Sequence, residues 1–264
     1  MKRYYTLITG ASQGFGKAMA IEMAKQHNNL VLVSLPNSGQ EELSEFLKTN
    51  FEVDVHHLEL DLSDVTNYVR IADYIKENNL QLKYLINNAG ILSRGSFDSL
   101  STDFILKQIE VNVIAPTLLI KLFLKNLQNN TPSYVLNVSS LAGYFPLIQK
   151  QVYCGTKSYL LSFSKSLRKE LKKDNISVTT VCPGGLNTTT RLCYQNRLVG
   201  WITRESVLTP EEAAKKAIYG MLHKKEVVIP GFINKCLLLI DKILPQFIKD
   251  FLTEREIRKF KPIT

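Results

Sequence analysis

Tyr153 and Lys157, four residues apart, are the side chains in this chain best suited to proton chemistry. Positions i and i+4 of an α-helix share a face, so a helix here would place the ammonium beside the phenol. A phenol with a pKa of about 10 exchanges protons poorly at neutral pH. A unit charge about 4 Å away contributes about 4 kcal/mol at an effective dielectric of about 20. The spacing predicts a tyrosine with a lowered pKa, with an ordinary surface helix pair as the alternative.

A glycine-rich turn near the start of the chain is suited to a different task. Gly10, Gly14 and Gly16 follow the first apolar segment and open an amphipathic stretch. Glycines let backbone amides approach a pyrophosphate closely, and a helix N-terminus adds a positive dipole. The turn predicts dinucleotide binding, with a plain strand-to-helix connection as the alternative. The predicted contacts are Gly10, Ser12, Gln13, Gly14, Phe15 and Gly16.

Short apolar runs alternate with longer amphipathic stretches, a pattern typical of β-α units over a parallel sheet. Strands are predicted near 4–9, 30–35, 53–60, 83–87, 133–138, 176–182 and 226–230. Helices are predicted near 15–27, 39–49, 64–78, 102–128, 151–173 and 210–222. Pro116 should kink or interrupt the helix predicted over 102–128, because proline removes a backbone donor. The predicted fold is α/β: one Rossmann-type doubly wound domain over 1–230, with a seven-stranded, mainly parallel sheet flanked by helices, then an amphipathic helical tail over 231–264.

Composition narrows the class of protein. The 264 residues are 45% hydrophobic, and no stretch reaches the roughly 18 apolar residues of a membrane span. The four cysteines show neither paired nor metal-like spacing, which favours reduced thiols and a cytoplasmic location. Net charge is +9, but the basic residues are scattered and no nucleic-acid module is recognisable. We therefore expect no metal and no nucleic-acid partner, and a solvated basic surface that also suits phosphate-bearing ligands.

Three motifs in register make the chain resemble the short-chain dehydrogenase/reductase family over about residues 4–230. They are Thr9-Gly10-x-x-x-Gly14-x-Gly16, Asn87-Asn88-Ala89-Gly90 and Tyr153-x-x-x-Lys157. Their spacing is similar to that of the shorter-chain branch. The resemblance implies hydride transfer between a nicotinamide cofactor and a carbonyl or alcohol carbon, with the protein supplying orientation and proton transfer.

The resemblance also implies four catalytic roles. Tyr153 would exchange the proton with the substrate oxygen, and Lys157 would lower the Tyr153 pKa and bind the nicotinamide ribose. Ser140 would orient the substrate oxygen, although the adjacent Ser139 stays open as an alternative. Asn112 would anchor a water between Lys157 and solvent. Asparagine is disfavoured inside a helix, which supports a purpose for Asn112.

Further cofactor contacts follow from the same resemblance. Asp61 and Leu62 match the adenine-contacting position, while a helix N-cap region with Ser63 and Asp64 is an equally compatible interpretation of Asp61. The remaining implied contacts, together with Tyr153 and Lys157, are Asn88, Ala89, Gly90, Pro183, Gly184 and Thr188.

The end of the second strand bears on the choice of cofactor. A carboxylate there would hold the ribose 2′-hydroxyl of NAD, and a basic side chain would hold a 2′-phosphate. The segment 34–38 has neither, but Ser34, Asn37 and Ser38 offer hydrogen-bond donors without repelling a phosphate. These features favour NADP(H) over NAD(H).

Two segments lie outside the regular alternation. Residues 186–209 exceed the usual length of a strand-to-helix loop, and match the family's substrate lid. Their apolar side chains predict a hydrophobic substrate (lipid, 3-oxoacyl or steroid-like) or else simple packing. The tail reads as two amphipathic helices separated by Pro245. It could pack over the substrate entrance, form a subunit interface or contact a membrane surface peripherally.

The leading hypothesis is an NAD(P)(H)-dependent oxidoreductase acting on a small hydrophobic carbonyl or alcohol. The alternative is a catalytically silent nucleotide-sensing or membrane-surface scaffold protein on the same fold. Relatives in the family form dimers or tetramers through two long helices, here about 102–128 and 151–173. The resemblance therefore implies a homodimer or homotetramer.

Overall fold

The computed structural model describes residues 3–93, 95–187, 206–245 and 248. Its sheet has seven strands: β1 (Tyr4–Thr9), β2 (Asn29–Ser34), β3 (Val55–Glu59), β4 (Gln81–Asn87), β5 (Ser133–Val138), β6 (Ile176–Val181) and β7 (Val227–Val228). Neighbouring strands all pair in parallel, in the order β3-β2-β1-β4-β5-β6-β7. The predicted doubly wound sheet is confirmed, and it is parallel throughout.

Eight α-helices accompany the sheet in the part of the chain that the structure describes. They are α1 (Gly14–Ala24), α2 (Gln40–Phe51), α3 (Thr66–Glu77), α4 (Thr102–Ile109), α5 (Ala115–Asn129), α6 (Gln151–Leu171), α7 (Pro210–Leu222) and α8 (Phe232–Ile243). The predicted boundaries agree to within a few residues except between α4 and α5.

Helices cover both faces of the sheet, which explains why β1, β2 and β6 are buried along almost their whole length. On one face Met19 of α1, Leu47 of α2 and Ala217 of α7 are fully buried in one cluster. On the other face Ile71 of α3 and Phe123 of α5 belong to a second cluster. Side chains of the central strands therefore enter one of two cores, whichever way they point.

The strand order reverses direction at β1, whose neighbours are β2 and β4. In open parallel sheets a crevice forms beyond the carboxyl ends of the strands at such a switch point. The turn after β1 begins at Gly10, and the segment after β4 begins at Asn88. Topology therefore brings together two motifs that are almost eighty residues apart in the chain.

The long helix predicted over 102–128 is interrupted. A π-helical turn, Glu110–Ile114, separates α4 from α5, and Pro116 lies directly after it. Proline has no N–H to continue the ladder of hydrogen bonds, so the backbone adopts a wider turn before Pro116. The predicted interruption is confirmed, and Asn112 lies inside the π turn.

The two irregular segments are described in part. Of 186–209, the ends at Leu186 and Leu208 form a parallel bridge, while 188–205 lie outside the described residues. The first tail helix, α8, ends at Ile243 before Pro245, and most of the predicted second tail helix also lies outside them. None of the described helices has the length and hydropathy needed to cross a membrane.

Candidate active site

The glycine turn, residues 9–16, is held tightly against the end of β4. Asn88 Nδ2 donates to the Thr9 and Gly10 carbonyl oxygens at 2.9 Å each. A Cβ added to Gly16 would lie 2.0 Å from the Gly10 oxygen and 2.5 Å from Asn88 Nδ2. Only glycine fits at Gly16, so this residue lets α1 pack directly on the turn.

A cleft of about 330 Å³ opens above this turn. Its lining includes Gly10, Ser12, Gln13, Gly14, Phe15, Gly16, Ser34, Leu35, Ser38, Leu60, Asp61, Leu62, Asn88, Ala89, Gly90, Ile91, Lys107 and Val111. The first turn of α1 has no acidic residue, and Gln13 at its N-cap makes no side-chain cap bond. The glycine cradle and this helix N-terminus fit the diphosphate of a dinucleotide cofactor.

Asn37, which the sequence predicted to contact the cofactor, lies outside the cleft. Asn37 lines a separate groove of about 780 Å³ along the outer edge of β3. Its backbone N–H donates to Glu59 Oε2 at 3.4 Å, and Glu59 lines the same groove. Ser34, by contrast, lines the cleft, and its hydroxyl lies 2.8 Å from that of Ser38. The serines rather than Asn37 therefore border the cleft.

Asp61 forms an ion pair across the cleft that the sequence did not suggest. Lys107 Nζ of α4 lies 2.9 Å from Asp61 Oδ2. The other oxygen, Oδ1, accepts from the Ser63 N–H at 2.9 Å and from the Ser63 hydroxyl at 2.8 Å. Although partial burial opposes it, the hydrogen bonds from Ser63 and Lys107 lower the Asp61 pKa. Asp61 thus closes a turn with Ser63 just before α3, whose N-cap is Val65, while its carboxylate borders the cleft.

Asn112, Ser140, Tyr153 and Lys157 are together called the tyrosine cluster here, and two of them, Asn112 and Lys157, border Gly90. Ser140, partly exposed after β5, hydrogen-bonds Tyr153. Ser139 is buried and donates instead to the Lys157 backbone oxygen at 2.8 Å. The geometry therefore favours Ser140 over Ser139 as the serine that faces the tyrosine.

Lys157 points into the protein from α6. Its Nζ donates to the Val138 carbonyl at 2.8 Å, and only 3% of the residue is exposed. The same atom lies 5.7 Å from the centre of the Tyr153 ring. A Cβ added to Gly90 would lie 3.3 Å from Lys157 Nζ, so this ammonium borders the segment that lines the cleft.

The pKa of Tyr153 differs in direction from the sequence prediction. Burial raises it, and the hydrogen bond with Ser140 opposes that rise only in part. Burial also lowers the pKa of Lys157 from 10.5 to about 8, which brings its deprotonation closer to neutral pH. Desolvation penalises the charged form of each group, and it is the largest cause of both shifts. The prediction that Lys157 lowers the Tyr153 pKa is therefore not what this structure shows.

Asn112 links the cleft to α6 through its side-chain amide. Its Oδ1 accepts from the Ile91 N–H at 2.8 Å, and its Nδ2 donates to the Ile91 oxygen at 3.0 Å. The Nδ2 also donates to Thr156 Oγ1 at 3.1 Å, and Thr156 precedes Lys157. A buried amide with three partners fixes these two segments relative to each other.

The Pro183–Gly184 turn after β6 lies against residues 139–143, called the serine loop here, which follow β5. The Pro183 oxygen accepts from the Leu141 N–H at 3.0 Å, and Leu141 follows Ser140. Thr188, the other contact predicted in this segment, lies outside the described residues. The structure thus brings the Pro183–Gly184 turn next to the tyrosine cluster.

Comparison with known proteins identifies this arrangement. The sequence profile of the short chain dehydrogenase family matches residues 5–196. The chain belongs to the short-chain dehydrogenase family. Like other members of that family, this dehydrogenase is an NAD(P)-dependent oxidoreductase, and membership favours the enzyme over the catalytically silent alternative.

Two curated relatives illustrate the similarity. The dehydrogenase is 32% identical to the "NADP-dependent 3-hydroxy acid dehydrogenase" of Schizosaccharomyces pombe over 84% of this chain and 88% of that protein. It is 31% identical to "17-beta-hydroxysteroid dehydrogenase 13" of Mus musculus over 88% of this chain and 76% of that protein. Among solved structures, a short-chain dehydrogenase from Sphingobium yanoikuyae in complex with NADPH matches with a TM-score of 0.78. That match has 24% identity and covers 100% of this chain and 98% of the other, so it supports the fold.

Sequence reasoning missed two residues at or near the cleft. Lys107 is an exposed helix lysine with no distinguishing pattern, so nothing local could have identified it. Asn234 in α8 is 1% exposed, and its side chain bonds backbone oxygens near the Pro183–Gly184 turn. An asparagine inside a helix is intrinsically disfavoured. The reasoning applied to Asn112 could therefore have identified Asn234 as well.

Proposed function

We propose that the protein transfers hydride between NADP(H) and the carbonyl or alcohol carbon of a small hydrophobic substrate, with Tyr153 exchanging the proton. The observation that carries this proposal is that Lys157 borders Gly90, which lines the cleft, while its Nζ lies 5.7 Å from the centre of the Tyr153 ring and Ser140 interacts with the Tyr153 phenol. A proton donor must lie within hydrogen-bond reach of the reacting oxygen, and a cofactor held above the glycine turn would end near these groups.

Each member of the tyrosine cluster has one proposed task. Bound NADPH supplies the hydride that adds to the carbonyl carbon. Tyr153 donates its phenolic proton to the carbonyl oxygen, and Ser140 donates a hydrogen bond that orients that oxygen. Lys157 binds the cofactor ribose and passes protons toward Tyr153, while Asn112 anchors the water that links Lys157 to solvent. In the reverse direction Tyr153 would accept the proton of the alcohol hydroxyl, and the hydride would leave the alcohol carbon for bound NADP⁺.

The pKa directions support reduction at neutral pH. Because burial raises the Tyr153 pKa, its phenol is protonated there and ready to donate. Alcohol oxidation needs the phenolate, so its rate should rise with pH well above neutrality. Burial lowers the Lys157 pKa to about 8, so this residue can exchange a proton in the same range.

The preference for NADP(H) rests on the ribose end of the cleft. Ser34 and Ser38 line the cleft, whereas Glu59, the last residue of β3, lines the outer groove with Asn37. The Asp61 carboxylate also lines the cleft, but it is paired with Lys107 at 2.9 Å. A 2′-phosphate beside Ser34 and Ser38 would therefore meet hydroxyl donors. One relative is named as NADP-dependent, and one structural neighbour was solved with NADPH.

The hydrophobic substrate class is supported by the relatives more than by the cleft. Their names describe a 3-hydroxy acid dehydrogenase and a 17-beta-hydroxysteroid dehydrogenase. We propose a lipid-like substrate of this kind, either a 3-oxoacyl or a steroid-like compound. The covering segment 186–209 is part of the proposal, although its described residues Leu186 and Leu208 pack against the core.

A panel assay tests the proposal. The purified protein is mixed with NADPH or NADH and with medium-chain, long-chain and steroid ketones, and loss of cofactor absorbance is followed. We expect turnover of at least one ketone with a higher kcat/KM for NADPH. Higher efficiency with NADH would refute the cofactor preference, and activity confined to small polar carbonyls would refute the substrate class.

The domain organisation, the oligomeric state and the role of the tail helix are also proposals. We propose one catalytic domain over 1–230, a homodimer or homotetramer through α4, α5 and α6, and a cytoplasmic protein. Phe232 and Ile243 of α8 are each about 80% exposed, which supports peripheral membrane contact by this helix. Co-sedimentation with anionic vesicles should fall when both are changed to serine, whereas changing the exposed Val65 and Val69 of the α3 region should have no effect.

A further inference from the structure

Asn234 of α8 joins the tail to the segments around the tyrosine cluster. Its Nδ2 donates to the Ser206 oxygen at 3.0 Å and to the Pro230 oxygen at 2.8 Å. Only 1% of the residue is exposed, so two hydrogen bonds hold this amide in place. A buried amide with satisfied donors is rigid, and its removal leaves carbonyl oxygens without partners.

The Asn234 amide occupies the space that a side chain at Gly184 would need. A Cβ added to Gly184 would lie 2.6 Å from Asn234 Oδ1 and 2.9 Å from its Cγ. The amide cannot move aside freely, because its two hydrogen bonds fix it. Because α8 approaches so closely, only glycine fits at position 184. The tail helix is therefore in direct contact with the Pro183–Gly184 turn.

The contact continues from this turn to the serine loop. Gly184 follows Pro183, whose oxygen accepts from the Leu141 N–H at 3.0 Å. Leu141 follows Ser140, whose hydroxyl accepts from the Ala142 N–H at 3.1 Å. A short path of direct contacts thus connects α8 to the serine that hydrogen-bonds Tyr153.

The Asn234 amide also contacts the end of segment 186–209, through its hydrogen bond to the Ser206 oxygen. Two residues later, the Leu208 N–H donates to the Gly185 oxygen at 3.1 Å. The Leu208 oxygen in turn accepts from the Asn187 N–H at 3.1 Å. The Asn234 side chain therefore fixes the Pro183–Gly184 turn relative to the bridge between Leu186 and Leu208.

We propose that Asn234 is a positioning residue for hydride transfer: it fixes the Pro183–Gly184 turn, and through it Ser140, in the geometry that the reaction needs. The inference rests on the proposed function for the roles of Tyr153 and Ser140. The glycine cradle is not in this path, so binding of the cofactor diphosphate should be spared. A displacement of about 1 Å in a reacting group can cost roughly a hundredfold in rate.

The kinetic test compares Asn234→Ala with Asn130→Ala. Asn130 is a matched control, since it is 3% exposed and its Nδ2 also donates to backbone oxygens, Leu82 at 3.3 Å and Asn126 at 2.9 Å. It lies at the opposite end of β5, after α5. We expect Asn234→Ala to lower kcat at least about tenfold with the Kd for NADPH changed less than about threefold. Asn130→Ala should lower the Tm but keep kcat within about twofold.

Two results would overturn the positioning role. In one, Asn234→Ala keeps kcat near that of the wild type although its Tm falls. In the other, Asn130→Ala loses kcat to the same extent, which would make the loss a general effect of destabilisation. A larger primary isotope effect with 4-deuterated NADPH in Asn234→Ala would support the role, because it reports on the hydride step itself.

A stability cycle tests the contact without any turnover, so it remains informative if the proposed function fails. Gly184→Ala alone should lower the Tm by several degrees, because the new methyl meets the Asn234 amide. In the Asn234→Ala background the same change should cost little, since the amide is gone. Equal costs in both backgrounds would show that Asn234 does not constrain Gly184. Absence of turnover in the wild type would instead count against the proposed function alone.

Discussion

The glycine turn contains three glycines and no charged side chain, whereas at the tyrosine cluster a phenol and an ammonium are withdrawn from water. Gly16 acts by leaving out a Cβ that would lie 2.0 Å from the Gly10 oxygen. Lys157 acts as a titratable group, 3% exposed, with a pKa lowered to about 8. Both regions lie at the carboxyl edge of one sheet. The difference indicates that the first should be sensitive to volume and the second to protonation.

The strongest test of this contrast is Tyr153→Phe. The change removes one hydroxyl and adds no volume, so we expect kcat to fall by about 10²–10⁴-fold, the usual contribution of general acid catalysis. The Kd for NADPH, followed by cofactor fluorescence, should change little. Substantial residual turnover would show that Tyr153 is not the proton donor. It would also contradict the expectation that the tyrosine cluster is sensitive to protonation.

The opposite test adds a single methyl group to the glycine turn. Gly16→Ala should weaken NADPH binding by about 10–100-fold, because relieving the overlap shifts the turn at a cost of about 1–3 kcal/mol. Gly155→Ala is the control, because Gly155 lies at an exposed position of α6 next to the tyrosine cluster. A Cβ added there would have no atom within 4 Å. Titration of both variants with NADPH measures the effect. Equal affinity in the two would contradict the volume argument.

The charge on Lys157 should cost stability. Its pKa is lowered from 10.5 to about 8, so between these values the unfolded chain binds more protons and folding stability from this group rises with pH. We expect Lys157→Met to raise the free energy of unfolding by about 1–3 kcal/mol at pH 7, after allowing for the lost Val138 hydrogen bond, while turnover disappears. The gain over wild type should shrink toward pH 10. Thermal unfolding of both proteins across this range provides the measurement, and a gain independent of pH would exclude a role for desolvated charge.

The smallest expected effect concerns the charged pair in the cleft. Lys107→Met should raise the Kd for NADPH only about two- to fivefold, because partly exposed ion pairs contribute about 0.2–1 kcal/mol. Lys48→Met is the matched control, as Lys48 pairs with Glu45 at 2.9 Å with similar exposure away from the cleft. A loss of affinity shared by both variants would reflect net charge rather than the Asp61 pair.

Several features could be predicted because their cause is local. The alternation of apolar runs and amphipathic stretches gave β1 and β5 at their observed boundaries, and Pro116 indicated the break between α4 and α5. The spacing of Tyr153 and Lys157 placed both on α6 with one helical turn between them. Such patterns depend on the period of a helix or strand, which a sequence shows directly.

Other features depend on contacts between distant segments. Lys107 meets Asp61 across 46 residues of chain, and Asn234 reaches the glycine at position 184 from a helix that the sequence left with three possible roles. The direction of the Tyr153 pKa was predicted wrongly for the same reason. Helical spacing gives the position of a neighbouring charge but not the extent to which both groups lose water.

The amino-acid sequence by itself therefore determined the parallel α/β framework, the glycine turn and the Tyr153–Lys157 pair, since each follows from residue type and short-range spacing. Asn112 and Ser140 were identified through the family resemblance. Tertiary structure alone decided which serine faces Tyr153, how burial shifts the two titratable groups, and that the tail touches the Pro183–Gly184 turn. Desolvation and close packing arise only when separate segments meet, and no local pattern records them.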